Sequence, residues 1–321
     1  MSSGSPGKDD QRVELASLGE RLGQQVLSSR TLAGGFSHET CLLELTDGPV
    51  VARFGGPDPA IEAAVMVAAS EHVPVPEVLL VVPGLDDQRP VMVIEYVSGM
   101  PLSEVLEADK FSPAEFAELG AAVGRVAAAV AEVRFERAGF FADERLTVRV
   151  EQPWSRQLPE FAATCMSAAP AARLDRETQR TWAGLCAAHA PALVEIDGQA
   201  RLAHADLNPK NILVTRPGPD WQVEALIDWE FAFSSCPYGD AANMMRFAQD
   251  YPAGYADGFA AAFVGGQPAD LPPPQEWSYL GRVLDMFALS DLVTRPLGHP
   301  VADQAAEVIK RWIAEGVPRA L

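Results

Sequence analysis

Residues 204–213 read HADLNPKNIL, which crowds Asp206, Asn208, Lys210 and Asn211 directly ahead of the apolar run at 212–214. Polar side chains this dense at the mouth of a strand must be satisfied by water, by one another or by a ligand. After the turn-rich RPGPDW comes a second apolar run, VEALI, followed by Asp228, Trp229 and Glu230. Two strands joined by a short turn return Asn211 and Asp228 to the same end. One carboxylate and one amide oxygen there form a hard-oxygen site of the kind Mg2+ accepts while keeping waters and phosphate oxygens as its other ligands. Asp206 is then left to accept a hydroxyl proton beside a metal-bound nucleotide. This pair of strands is the constraint around which the rest of the chain has to fold.

Upstream of residue 97 the sequence breaks into short β-favouring runs, RTLAGG, ETCLLEL, PVVARF, PEVLLVV and RPVMVIEYV, after an amphipathic stretch from about 11 to 26. Between the third and fourth runs lies a helical segment, PAIEAAVMVAASE, introduced by the Asp58-Pro59 turn signal. The glycines of LAGGFSHET, Gly34 and Gly35, lack a Cβ and let backbone N–H groups approach an anion closely, as a plain hairpin turn would also explain. Arg53 in VVARF and Glu62 in AIEAAV supply a strand cation and a helix carboxylate, a pair suited to holding charge against phosphate, or else a surface ion pair. Downstream the pattern turns helical. PLSEVLEA, SPAEFAELGAAVGRVAAAVAEV with Ser112 and Glu115 as a capping box, LDRETQRTWAGLCAAHA, YGDAANMMRFAQD, a stretch at 276–292 and a last helix at about 301–314 are interrupted by one β-rich island at 201–231. SGMP at 98–101 has the Gly and Pro of a junction, which predicts two domains, 1–97 and 98–321.

Composition narrows the partners. A chain of 321 residues with 48% hydrophobic content can bury a large core. Its formal charge of -19 repels nucleic acid and anionic membranes and attracts a cationic ligand, while serving solubility equally well. No window approaches ~18 uninterrupted apolar residues, and MSSGSPGKDDQ has neither a basic nor an apolar signal region, so a cytoplasmic protein is expected. Cys41, Cys165, Cys186 and Cys236 are scattered without a C-x-x-C pair and are expected as buried thiols.

The order GGFSHET, VARF, IEAAV, VIEYVSG, HADLNPKN and IDWE resembles the aminoglycoside phosphotransferase and choline kinase family over about residues 28–250. The resemblance implies an α+β, bilobal protein-kinase-like fold. A small β-rich N-terminal lobe with one main helix binds the nucleotide, and a larger, mostly helical C-terminal lobe carries the catalytic loop and acceptor site. It implies transfer of the γ-phosphoryl group of ATP, or GTP, with Mg2+, to a small-molecule hydroxyl. Asp206 takes the part of catalytic base, and Asn211 and Asp228 hold magnesium. Gly34, Gly35 and Ser37 lie over the phosphates, Arg53 replaces the usual lysine beside Glu62, and the Glu95 carbonyl and Val97 N–H meet the adenine edge. His204 matches a structural histidine, and Asp240 in PYGDAAN matches a helix aspartate that braces the loop. The departures are Arg53 itself, whose planar fork meets phosphates differently from an ammonium, and Trp229-Glu230 at the place of the protein-kinase Phe-Gly. A third is Ala131-Glu132, where relatives often carry a histidine.

For the acceptor, Glu230, Asp240, Glu276, Trp277 and Asp285, with Asn243 and Tyr279, are the candidate linings. Carboxylates and acidic balance favour an aminoglycoside or other cationic antibiotic, whereas Trp277 and Tyr279 suit caging of a quaternary amine. The alternatives are a kinase of a small metabolite such as choline, a sugar amine or homoserine, and a nucleotide-binding pseudokinase.

Overall fold

In the computed structural model, residues 8–32, 38–57, 59–84, 89–108 and 110–320 are described. Helix α1 (Lys8–Leu22) leads into strand β1 (Val26–Thr31), followed by β2 (Glu39–Leu45), β3 (Gly48–Phe54), helix α2 (Ala60–Ser70), β4 (Val78–Val82) and β5 (Val91–Glu95). The strands form one antiparallel sheet in the order β1-β2-β3-β5-β4. Side chains alternate across a sheet, and the hydrophobic run of β5 serves both faces. Val91 and Val93 join Leu43, Ala52 and Phe54 under Leu18 of α1, while Met92 and Ile94 face Ala63, Val65 and Met66 of α2. Register across β3 and β5 pairs Arg53 with Met92, so the cation emerges at the end of β3 on the α2 side.

The α2 side of the sheet is continuous with the core of the rest of the chain. Beyond the extended residues 96–99 come β6 (Met100–Pro101), α3 (Leu102–Glu107), α4 (Pro113–Ala129), α5 (Trp154–Ala168) and α6 (Arg176–His189). Then follow β7 (Arg201–Ala203), β8 (Ile212–Thr215), β9 (Gln222–Leu226) and β10 (Phe233–Ser235), and after them α7 (Tyr238–Met244), α8 (Tyr255–Gly265), α9 (Trp277–Leu292) and α10 (Pro300–Glu315). The capping box at the head of α4 forms as the sequence predicts, with Glu115 N–H donating to Ser112 Oγ at 3.3 Å and Ser112 N–H to Glu115 Oε2 at 2.9 Å. All four cysteines are buried, unbridged thiols. Among the described residues no helix is long and apolar enough to cross a membrane.

Two helices depart from the sequence reading. Helix α5 carries Pro159 inside it, a residue that removes one helical hydrogen bond, yet packing of Trp154, Leu158, Ala162, Cys165 and Met166 into the core maintains the helix. Helix α8 contains Gly258, and here the glycine is the reason the helix can pack. A Cβ at Gly258 would collide with Ala117 O of α4, and one at Gly120 of α4 would collide with Tyr255 O. The two backbones touch where a side chain would hold them apart.

The island that interrupts the helices is a three-stranded ribbon, β6-β8-β9, beside a two-stranded one, β10-β7. Ile212 pairs with Leu226 in the β8–β9 ladder, and the ladder is extended by Ile227 N–H donating to Asn211 O at 3.0 Å. Leu226 N–H reaches Pro74 O at 2.9 Å, tying this ribbon to the segment between α2 and β4.

Candidate active site

The loop that follows β7 is built around one buried carboxylate. Asp240, at the head of α7 and 2% exposed, accepts His204 N–H at 2.7 Å and Ala205 N–H at 2.8 Å. Asn243, one turn later, donates from Nδ2 to Ala205 O at 3.0 Å. Together these bonds hold Ala205 at φ 65, a left-handed conformation that a Cβ disfavours. Burial pushes the Asp240 carboxyl up to about 6, its two backbone donors notwithstanding. The His204 ring is fully buried, tilted against Trp229 with centroids 4.4 Å apart. Burial lowers its pKa to about 4, so the ring is neutral. Its two nitrogens have separate roles: Nε2–H donates to Ile227 O at 3.0 Å, and Nδ1 accepts Asp206 N–H at 3.3 Å. His204 therefore links the loop to the strand end before Asp228 and is a scaffold.

Asp206 is presented by this frame and fixed by two asparagines. Asn208 Nδ2 donates to its Oδ1 at 3.1 Å and Asn211 Nδ2 to its Oδ2 at 2.9 Å, while both amides also bond the Asp206 carbonyl. Burial first, and then the charge of Asp228, raises the Asp206 carboxyl above the ordinary carboxylate range. Because the Asn211 amide nitrogen is committed to Asp206, its Oδ1 is the side-chain atom left to ligate a cation. Asp228 stands just past β9 at φ 69, another left-handed non-glycine residue. The ladder that continues through Ile227 brings it to the Asn211 end of the ribbon.

Arg53 closes the site from the sheet. Its Nη1 donates to Glu62 Oε1, its Nη2 donates to Asp228 Oδ1 at 2.8 Å, and His38 Nδ1 lies 3.1 Å from the same Nη2. Glu62 also accepts Trp229 N–H at 3.2 Å, which locks α2 onto the segment after β9. Arg53 and Glu62 are 8% and 6% exposed, so their pairing is a buried one and not a surface ion pair. His38 stands 3.8 Å from Glu230, and burial lowers its pKa. Glu95 ends β5, with its N–H donating to Glu77 O at 2.8 Å, and Val97 lies in the segment that links β5 to β6. Gly34, Gly35 and Ser37 lie outside the described residues.

A divalent cation fits what is present. Asn211 and Asp228 stand at neighbouring strand ends, and an amide oxygen and a carboxylate oxygen are the hard donors that Mg2+ would take alongside phosphate and water. Among the described residues no group of three or more His, Cys, Asp or Glu side chains is arranged to hold a metal, which is not the all-protein cage of a zinc or calcium centre.

Beside Asp206 opens a cavity of about 360 Å3. Its lining includes the polar residues Asp206, Asp240, Asn243, Arg246 and Asp285 and the rings of Phe140, Trp154, Phe161, Phe231, Phe233 and Phe287. Sequence reasoning missed these rings and Arg246. The spacing of Trp154, Gln157 and Phe161 on one face of α5 was the available signal for part of the wall. The expected acceptor residues divide. Asp240 and Asp285 reach the cavity, but Asp240 is engaged by two backbone N–H groups and Asp285 by Arg246, whose Nε donates to its Oδ2 at 3.0 Å. Trp277 and Glu276 are not on the lining: Trp277 packs on Phe263 and Tyr238, and Glu276 pairs with Arg319 at 2.6 Å on the surface. Tyr279 meets His189 Nδ1 at 2.6 Å, also away from the lining. Glu230 sits by His38 on the sheet side.

A five-stranded sheet packed through α2 onto a mainly helical remainder is the protein-kinase-like fold of small-molecule phosphotransferases. The sequence model of the phosphotransferase enzyme family (APH) matches residues 28–277, and the chain belongs to that family. No curated protein matches. The fold is that of the crystal structure of aminoglycoside phosphotransferase APH(4)-Ia, at 15% identity and TM-score 0.72, covering 96% of this chain and 100% of that one. A thermostable mutant of the same protein, solved as a ternary complex with ADP and hygromycin B, aligns at 16% identity and TM-score 0.69, covering 95% and 99% of the two chains. A mutant of aminoglycoside 2'-phosphotransferase-IIIa in complex with GDP aligns at 16% identity and TM-score 0.68, covering 96% and 98%.

Proposed function

We propose that this small-molecule phosphotransferase moves the γ-phosphoryl group of ATP or GTP to a hydroxyl of a compound seated in the cavity beside Asp206. In this reading the nucleotide lies between residues 1–97 and 98–321. The Glu95 carbonyl and Val97 N–H meet its base, and the 33–37 loop with Arg53 meets its phosphates. Asn211 and Asp228 would hold Mg2+, which would neutralise charge on the phosphoryl oxygens. The single observation that supports the assignment is the bonding of Asp206 to Asn211 at the end of the ribbon where β9 delivers Asp228.

The residues of the chain then act as follows. Asp206 orients the acceptor hydroxyl and accepts its proton as the new O–P bond forms and the bond to the leaving nucleoside diphosphate breaks. Asn208 and Asn211 hold the Asp206 carboxylate in one rotamer, and burial raises its proton affinity, which improves it as a base. Asp240 and His204 keep the loop in its left-handed bend at Ala205. Arg53 holds charge against the phosphates while Glu62 holds Arg53.

The likeness to a phosphotransferase solved with hygromycin B and the net charge of -19 support an antibiotic with cationic character as acceptor, and a small metabolite carrying a hydroxyl is the second class. The test is incubation with Mg2+ and ATP or GTP against aminoglycosides, other antibiotics, amino alcohols and sugars, with mass detection of an added phosphate. A phosphorylated product that disappears in Asp206→Asn supports the reading. No product from any class with either nucleotide contradicts it.

A further inference from the structure

We infer that the acceptor presents an apolar, ring-bearing body to this enzyme, a conclusion that rests on the phosphotransfer reading above. Asp206 lines the cavity, so what fills the cavity is what Asp206 acts on.

The wall of that cavity is aromatic and continuous. Phe140 lies 4.9 Å from Phe233 between ring centroids, Phe233 lies 5.3 Å from Trp154, Trp154 lies 6.1 Å from Phe287, and Phe287 lies 5.3 Å from Phe161. Aromatic rings on a folded surface normally bury themselves, yet Phe140, Phe161 and Phe231 remain 42%, 38% and 47% exposed, and all three open onto this one cavity. Clustered exposure of large apolar side chains around a concave site marks a surface that a ligand covers.

The charges point the same way. A polyamine is held by carboxylates that have no other partner, and the carboxylates around this cavity have partners. Asp285 is buried against Arg246 and Asp240 is spent on two backbone N–H groups, while half-exposed Asp291 stands 3.6 Å from Arg295, just past the end of α9. Beyond Asp206 the lining carries three carboxylates, Asp240, Asp285 and Asp291, against two guanidinium groups, Arg246 and Arg295. Offset stacking on the aromatic wall, with an alicyclic or aromatic ring system, is the interaction this surface provides.

The experiment uses the full chain and three ligand arms: aryl-alkyl alcohols and hydroxylated terpenoids, kanamycin, and glucosamine. Binding is measured by calorimetry without nucleotide, at 50 and 500 mM NaCl, in wild type, Phe161→Ser and Phe231→Ser; phosphorylation is read separately by mass. Both phenylalanines are partly exposed, so their replacement leaves the core intact. The expected result is binding of the apolar arm with a Kd that moves less than about twofold with salt and rises about threefold to tenfold in each variant. Phosphate is then added to that arm. Tighter binding of kanamycin, weakened by salt and indifferent to both substitutions, overturns the inference, as does failure of every apolar compound to bind. Transfer to kanamycin alone overturns this acceptor class and leaves phosphotransfer standing. Binding of the apolar arm with no transfer to any arm overturns phosphotransfer and retains the apolar selectivity of the cavity.

Discussion

Arg53 Nη2 stands 2.8 Å from Asp228 Oδ1 across a sequence separation of 175 residues, while its Nη1 donates to Glu62. One guanidinium thus joins the sheet, helix α2 and the end of β9. A lysine ammonium at this position lacks the fork needed to hold both carboxylates. Arg53→Lys is expected to raise the nucleotide KM about tenfold, the equivalent of one charge-assisted hydrogen bond. Arg53→Met strands Glu62 in the core and should lower unfolding free energy by about 3–5 kcal/mol in denaturant titration. Unchanged values for both variants would contradict the bridging role.

The magnesium requirement should pass through Asn211. Removing its carbonyl oxygen in Asn211→Ala is expected to raise the Mg2+ concentration for half-maximal activity by at least ~10-fold, the scale seen when groups that support a metal site are lost. A chelator should abolish activity in both proteins. A wild-type Mg2+ response in the variant would remove Asn211 from the ligand set.

Asp240 predicts a pH signature in stability. Its carboxyl is raised to about 6 from an ordinary 3.8, so it contributes stability that is present below the unfolded value and lost as pH rises through about 6. Asp240→Asn removes that contribution. The stability gap between wild type and variant should therefore widen as pH falls from about 6 to about 4, by up to about 3 kcal/mol. His204 titrates with the opposite sign: its depressed pKa of about 4 means stability is lost on acidification below its unfolded value. Without Asp240 to offset it, acid denaturation of the variant should be steeper. A gap that is constant with pH would show that Asp240 does not titrate there.

The contact of α4 with α8 predicts a stability change that leaves the chemistry alone. Gly120→Ala and Gly258→Ala each put a Cβ into facing backbone, at Tyr255 O and Ala117 O. Each should lower unfolding free energy by about 1–3 kcal/mol through overpacking, with KM for nucleotide unchanged. An unaltered Tm would mean that the helices separate without penalty.

The convergence of Asp206 with Asn211, and of Asp228 with Arg53 and Glu62, was legible because these residues lie on short, ungapped motifs. The sequence HADLNPKN before one strand and Asp228 after the next fix their own convergence, since antiparallel pairing of Ile212 with Leu226 leaves little freedom. The lining of the cavity beside Asp206 was not legible, for two physical reasons. Pro159 obscured helix α5, and with it the face that carries Trp154 and Phe161. Acidic residues such as Asp285 and Glu276 read as ligands for a cation, but whether a carboxylate is available depends on arginines distant in sequence, Arg246 and Arg319, that neutralise them only in the folded chain. Phe140 and Phe231 carry no sequence signal of their exposure, which tertiary packing alone decides.

Single-turnover kinetics of Asp206→Asn, with nucleotide affinity measured on the same preparation, test most directly that a carboxylate held by Asn208 and Asn211 takes the acceptor proton. The expected result is a nucleotide Kd within a few-fold of wild type and phosphoryl transfer slowed by at least ~100-fold. Transfer at the wild-type rate in Asp206→Asn would contradict it.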